Sequence, residues 1–251
     1  MSPLVRHRLV RLAWSALYAL VVAVPVGVLA YLVHTSFPPL VDADQRVEVA
    51  ATTVTLAHPW LRHTLLVWQT ISQPLVAYAV VGLPLCVAVG RRPARRSRAW
   101  WAAATMTVGW VLGVSLKEVV RRARPVLDDP VSQFGSYSFP SGHALNAAVL
   151  GTTCVLLLWP LLARRGRIVA VALAVAWTAV TCADRILLGA HFPSDVAAGV
   201  VLGTGVVLAS HAGYRGWTPS MPERDADAST DTATDTHLRS PVHDRAEESA
   251  R

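Results

Sequence analysis

Apolar runs separated by short breaks rich in arginine fill the chain as far as residue 217. Six of them approach the ~20 mostly apolar residues that carry a helix across a bilayer: Leu12–Val33, Leu61–Val89, Ala99–Leu116, Ala144–Leu162, Ile168–Cys182 and Val196–Ser210. The second is too long for one straight crossing, and Gln69, Ser72, Gln73 and Pro74 interrupt it. It predicts a tilted or kinked span, or an interfacial turn followed by a span from Pro74. The first run is too long for a cleaved leader and lacks a small-residue cleavage site before the polar stretch His34–Asp44. Val41–Leu56 reads as an amphipathic helix lying on a membrane face. From Thr218 onward Pro, Asp, Thr and Ser replace large apolar residues, so that stretch cannot bury a core and is expected to be disordered. The expectation is an all-α, polytopic membrane domain over 1–217 with about six transmembrane helices, and a disordered cytoplasmic tail over 218–251.

Composition sharpens this picture. The 251 residues are 53% hydrophobic and 16% charged, with a mean hydropathy of +0.41, where soluble domains carry about 25% charged residues. A cytosolic enzyme, a disordered regulator and a nucleic-acid binder are thereby excluded. The net charge of +7 is unevenly spread: residues 1–217 hold 19 Lys+Arg against 8 Asp+Glu, and 218–251 hold 4 against 8. Cys86, Cys154 and Cys182 lie in apolar runs without paired spacing and read as small core hydrophobes.

With the N-terminus inside, Arg6, Arg8 and Arg11, then Arg91 to Arg98, then Arg164, Arg165 and Arg167 are cytoplasmic, as the positive-inside rule requires. Lys117, Arg121, Arg122, Arg124 and Arg185 then fall on the outer side, against that rule, and call for a local reason. They belong to three clusters that the six-span arrangement brings to one membrane face. The first is Lys117 to Pro125. Lys117 is the only lysine beside 22 arginines; alone it reads as a snorkelling helix-end lysine. It shares a face with Arg124, seven residues on, if the helix continues to Pro125. The second is Pro140-Ser141-Gly142-His143, where Ser141 suits an N-cap and Gly142 lets a ligand approach the backbone. A plain turn and helix start explains four such residues equally well. In the third, Asp184-Arg185 precedes His191 and Asp195, and Pro193 suits a first helical position. The Asp195 carboxylate is close enough in sequence to hydrogen-bond one nitrogen of His191 and leave the other free. Arg121 and Arg122 read as interfacial residues that bind lipid headgroups. Together, two helix N-termini, three cations and two histidines suit a multiply charged phosphate.

Lys117-x6-Arg124-Pro125, Pro140-Ser141-Gly142-His143 and Arg185-x5-His191-x3-Asp195 resemble the three-part signature of the type 2 phosphatidic acid phosphatase superfamily, which also holds bacterial acid phosphatases and vanadium haloperoxidases. The resemblance implies a helical bundle of that type and a membrane lipid phosphatase. His191 would be the nucleophile, oriented by Asp195, and His143 the general acid and then base. Lys117, Arg124, Arg185 and the Ser141–Gly142 turn would bind phosphate. No metal and no cofactor are implied. Asp184 departs from the family, which places a small residue there. Partners are a lipid phosphate and the bilayer, with no nucleic acid; the site would be extracytoplasmic and both termini cytoplasmic. Competing readings are a vanadate enzyme, against which six spans argue, and a metal site on His143, His191 and Asp195, which the cations would repel. A catalytically inactive phosphate-lipid binding or carrier protein is the remaining one. Phosphatidic acid, phosphatidylglycerol phosphate, polyprenyl diphosphates such as undecaprenyl diphosphate, and prenyl-linked sugar phosphates present the same group, and composition suggesting a GC-rich bacterial genome favours envelope lipid carriers.

Overall fold

The computed structural model describes residues 3–125 and 136–214. The tail expected over 218–251 lies outside the described residues. Among these residues every regular element is helical. Helix α1 spans Pro3–His34, α2 Pro38–Ala57, α3 Pro59–Ile71, α4 Pro74–Ala77, α5 Leu83–Gly90, α6 Arg96–Val120, α7 Gly142–Leu158, α8 Arg164–Leu187 and α9 Pro193–Tyr214. Five segments are long and apolar enough to cross a membrane: those of α1, α6, α7, α8 and α9. The pair Pro59–Ile71 and Pro74–Gly90, bent by 58° at Ser72–Gln73, is long and apolar enough only when its two halves are taken together. Pro74 opens its second half, where a missing N–H is tolerated. A wide turn over Tyr78–Gly82 then links α4 to α5. The break falls at the polar residues and proline that interrupt this run in the sequence.

Helix α7 sits at the centre and packs on α6, α8 and α9, while α1 lies along α9. Its side chains Ala144, Leu145, Val149, Leu150 and Leu157 are all buried. Apolar side chains of α1 and α8, among them Leu12, Leu20, Val21, Leu173 and Val175, face outward and exposed. A bilayer solvates such a surface. Because lipid is as apolar as leucine, burial of apolar area does not hold these helices together. Close backbone packing and hydrogen bonds between helices do. A Cβ added at Gly199 would lie 2.8 Å from the Ser141 carbonyl oxygen, and one at Gly203 would press on the Leu145 carbonyl. These glycines let α9 run against the backbone of α7. Trp101 Nε1 donates to Ser210 Oγ at 2.9 Å, Thr105 meets the same hydroxyl at 2.8 Å, and Ser15 donates to the Ala209 carbonyl at 2.8 Å.

Helix α2 covers the amphipathic segment expected over 41–56, with its polarity turned inward. Asp44, Glu48, Thr52 and Thr55 are buried, while Val47, Val49, Val54 and Leu56 are exposed. The four polar residues recur at helical spacing, so one stripe faces α8 and α9. Thr55 donates to the Leu187 carbonyl at 2.7 Å, tying α2 to the end of α8.

Gly203→Val is expected to destabilise the fold by about 2 kcal/mol or more, since overpacking a tight contact typically costs ~1–3 kcal/mol. Thermal unfolding in detergent measures this, and an unchanged midpoint would show that α7 and α9 have room to separate.

Candidate active site

The three clusters meet at one end of the bundle, where α6 and α8 finish and α7 and α9 begin. Helix α6 ends at Val120 because Arg121 takes a left-handed conformation (φ 53°), with its N–H donating to the Lys117 carbonyl at 3.0 Å. The expected continuation to Pro125 is thus corrected. Lys117 reaches the site from the last turn of α6, and Arg124 reaches it from the non-helical stretch that follows. The reversal at Arg121 has a purpose visible in the next residue, since it sends the Arg122 side chain inward.

A cavity of about 340 Å³ is lined by Lys117, Arg124, Gly142, His143, Arg185 and His191 at its polar end, and by Gln73, Pro74, Trp110, Gly113 and Val114 beyond. Lys117 Nζ donates to the Tyr137 carbonyl at 2.8 Å. Arg124 donates from Nε to the Ser136 carbonyl and from Nη1 to the Ala190 carbonyl, both at 2.6 Å. The acceptors of these three bonds are neutral backbone carbonyls. Burial lowers the Arg124 guanidinium to about 10, opposed by Asp195 and reinforced by Arg185; it stays charged at neutral pH. Arg185 is buried at the end of α8 and paired with Asp184.

Ser141 caps α7, its hydroxyl accepting from Ala144 N at 3.5 Å. Its own N–H donates to the Asp195 carbonyl at 3.0 Å. Ser141 is therefore fully buried and committed to structure, and the cavity wall begins at Gly142. The amides of Gly142 and His143 open the helix and have no acceptor within it. Asn146 donates to the Gly142 carbonyl at 2.8 Å and accepts from Tyr78 OH at 2.7 Å, which steadies that turn from the kinked span. The His143 ring faces the backbone of Gln69, in the last turn of α3 before the kink. Its Nε2 has no hydrogen-bond partner among the described residues.

His191 lies in the α8–α9 turn, which Gly189 makes possible with φ 62°. The Ala190 and His191 amides both donate to the Arg185 carbonyl, at 3.0 and 3.2 Å. Its Nε2 stands 3.3 Å from Arg124 Nη1. On the other side, Nδ1 is 3.6 Å from Asp195 Oδ2, too far for a direct hydrogen bond. Ser138 Oγ sits between them, 3.4 Å from Nδ1, and donates to Asp195 Oδ2. The His191–Asp195 pair expected from the spacing is present, with Ser138 as a second link between the two side chains. Burial drives the His191 imidazole down to about 4; Asp195 opposes the shift and Arg124 adds to it. His191 is neutral at pH 7.

Asp195 is fully buried. Arg122 Nη1 donates to its Oδ1 at 2.6 Å and to Ser194 Oγ at 2.7 Å. Arg122 Nη2 pairs with Asp44 at 2.7 Å, and the guanidinium lies 4.1 Å over the Phe192 ring. Asp44 also accepts from Ser194 N at 3.0 Å. The expectation that Arg122 binds lipid headgroups is corrected: its side chain is 10% exposed and locked between two carboxylates. No group of three His, Cys, Asp or Glu among the described residues is disposed to hold a metal ion.

A family model described as the PAP2 superfamily matches residues 98–219. Phosphatidylglycerophosphatase B of Bacillus subtilis is 31% identical over 182 residues, covering 70% of this chain and 84% of that protein. The chain belongs to the PAP2 superfamily. A decaprenylphosphoryl-5-phosphoribose phosphatase of Mycobacterium tuberculosis is 39% identical over 129 residues, which are 48% of this chain and 66% of that protein. In the same superfamily, the crystal structure of a transmembrane PAP2-type phosphatidylglycerolphosphate phosphatase from Bacillus subtilis superposes with a TM-score of 0.64, at 22% identity, covering 79% of this chain and 98% of that one. The fold is therefore that of a multi-pass membrane PAP2 protein.

Sequence reasoning missed Ser138, Asp44, Gln69 and the bridging position of Arg122. Arg122 carried a signal, since it breaks the charge asymmetry of the other loops; Asp44 and Ser138 carried none, because their partners are distant in sequence. Arg122→Leu is expected to cost ~3–5 kcal/mol of stability, the usual result of leaving buried carboxylates unpaired. Denaturation in detergent tests this. The His191 shift also has a signed consequence. Above pH 6.5 the imidazole is neutral in both folded and unfolded chains. Between pH 6.5 and about 4 the unfolded chain binds the proton first, so stability falls with pH by roughly 3 kcal/mol in all. His191→Gln should show a shallower loss of melting temperature across that window, and parallel curves would refute the shift.

Proposed function

We propose that the chain is an integral-membrane phosphatase that removes the terminal phosphate of a phospholipid or polyprenyl phosphate or diphosphate. The observation that carries the reading is one cavity holding Lys117, Arg124, Arg185 and both histidines at one end, with Trp110, Val114 and Pro74 at the other. Trp110 and Val114 are exposed on the flank of α6 that would face lipid, 38% and 50% accessible. A headgroup held by the cations can leave its chain in the bilayer. The names of the Bacillus and Mycobacterium relatives, both phosphatases of lipid-linked phosphates, support the same class.

His191 Nε2 attacks phosphorus and forms a phosphohistidine, and a neutral imidazole suits that role. Ser138 and Asp195 hold the ring on its Nδ1 side and balance the positive charge that develops there. Lys117, Arg124, Arg185 and the amides of Gly142 and His143 stabilise the non-bridging oxygens. Ser141 supports those amides from behind as the cap of α7. His143 Nε2 protonates the leaving oxygen, then takes a proton from the water that hydrolyses the intermediate. The distribution of arginines supports cytoplasmic termini and an extracytoplasmic site.

The test is phosphate release by detergent-purified protein from phosphatidic acid, phosphatidylglycerol phosphate and polyprenyl phosphates, with a chelator present. His191→Ala and Arg185→Ala are each expected to lose ~100-fold or more, the usual scale for such groups. Wild-type turnover in either folded variant would refute the assigned roles. Tight lipid-phosphate binding with no release would indicate a carrier instead.

A further inference from the structure

Helix α9 carries Asp195 in its first turn, and the N–H groups of that turn have no acceptor within the helix. One of them is answered from 150 residues away: Ser194 N donates to Asp44 Oδ1 at 3.0 Å, and the Ser194 hydroxyl donates to Asp44 Oδ2. Asp44 belongs to α2 and is 3% exposed. It does for α9 what a capping residue in that helix's own sequence would do. Its Oδ2 also accepts from Arg122 Nη2 at 2.7 Å, while Arg122 Nη1 reaches Ser194 Oγ and Asp195 Oδ1. Asp44, Arg122 and Ser194 are not among the described residues that line the cavity, so whatever they do for a ligand passes through Asp195.

Arginine beside a carboxylate commonly places two N–H groups on its two oxygens. Arg122 gives Asp195 one nitrogen only, Nη1 to Oδ1 at 2.6 Å, because its other terminal nitrogen is held by Asp44. Asp195 Oδ2 is thereby left to the His191 side. There it accepts from Phe192 N at 3.0 Å and from Ser138 Oγ, and stands 3.6 Å from His191 Nδ1. Without Asp44, the released arm of Arg122 closes on Asp195 Oδ2, draws that oxygen off Ser138 and frees the His191 ring on its Nδ1 side. We propose that Asp44 is a positioning residue for phosphoryl transfer: it withholds one arm of Arg122 from Asp195 and so keeps the second carboxylate oxygen for Ser138 and His191. The proposal rests on the phosphatase reading above and extends its machinery to α2, a helix that lines no part of the cavity.

The experiment compares wild type with Asp44→Asn on the best substrate among phosphatidic acid, phosphatidylglycerol phosphate and farnesyl monophosphate. Asparagine keeps the shape and an acceptor for the Ser194 amide, but has no charge with which to hold the guanidinium. kcat and kcat/KM are expected to fall together by ~10-fold or more, the scale on which small misplacements of a reacting group act. The inhibition constant of inorganic phosphate should stay within about twofold, since the variant leaves the ligand-binding cations untouched. A lysine has no second arm to close on Asp195, so Arg122→Lys added to Asp44→Asn should recover part of the lost kcat. Thr55→Val loosens α2 from α8 without touching Asp44; it should lower the melting temperature and keep wild-type turnover. Wild-type turnover by folded Asp44→Asn overturns the proposal alone, as does a folded double variant no faster than Asp44→Asn. An equal loss in Thr55→Val, or a loss carried by weaker phosphate inhibition, does the same. Asp44→Ser repeats the test if Asp44→Asn does not fold, and failure of both to fold makes Asp44 a support of the fold and overturns the proposal. No release from any of the three lipids by wild type sinks the phosphatase reading, and the proposal with it.

Discussion

Concentrating positive charge at the end of a helical bundle in a membrane is the constraint on which the rest depends. Lys117, Arg124 and Arg185 converge on one cavity, and their mutual repulsion is poorly screened where water is scarce. Each is held by a separate device. Lys117 and Arg124 are anchored on backbone carbonyls of the 136–137 stretch and of Ala190, and Arg185 on its neighbour Asp184. A fourth cation, Arg122, is turned away from the cavity and paired with the two carboxylates behind it. The result is a cationic cavity backed by a network of one arginine and two carboxylates.

That arrangement explains the inverted helix α2. An amphipathic segment at a membrane face would ordinarily put its polar stripe toward water. Here the stripe of Asp44, Glu48, Thr52 and Thr55 points into the protein, because Arg122 and the start of α9 need an acceptor there. Asp44 supplies it to both Arg122 and the Ser194 amide. The outer face of α2, with Val47, Val49 and Val54, is left for the bilayer.

The kinked second span is tied to the site in a similar way. Breaking the helix at Ser72–Gln73 leaves the last carbonyls of α3 without helical donors and brings the backbone of Gln69 to face His143. Past the kink, Tyr78 reaches Asn146 and through it the Gly142 carbonyl. The one span that is not a straight helix is thus the one that orients the first turn of α7.

Apolar run length and the placement of arginines determined by themselves that this is an all-α membrane protein with about six candidate spans, and the three short clusters carried the resemblance to the superfamily. Those properties are local: a span is a count of consecutive apolar residues, and a cap or a helix-start proline acts within one turn. The kink was legible for the same reason, since Pro74 and its polar neighbours mark it directly. Only the tertiary structure decided what stands behind the clusters. Ser138 enters between His191 and Asp195, Arg122 leaves the membrane surface to join Asp44, and the Ser141 amide donates to the Asp195 carbonyl. Each of these depends on a partner tens of residues away, and on α6 ending at Arg121 rather than running on. A side chain reveals its type in sequence, but which buried charge it must answer is fixed only when the helices meet.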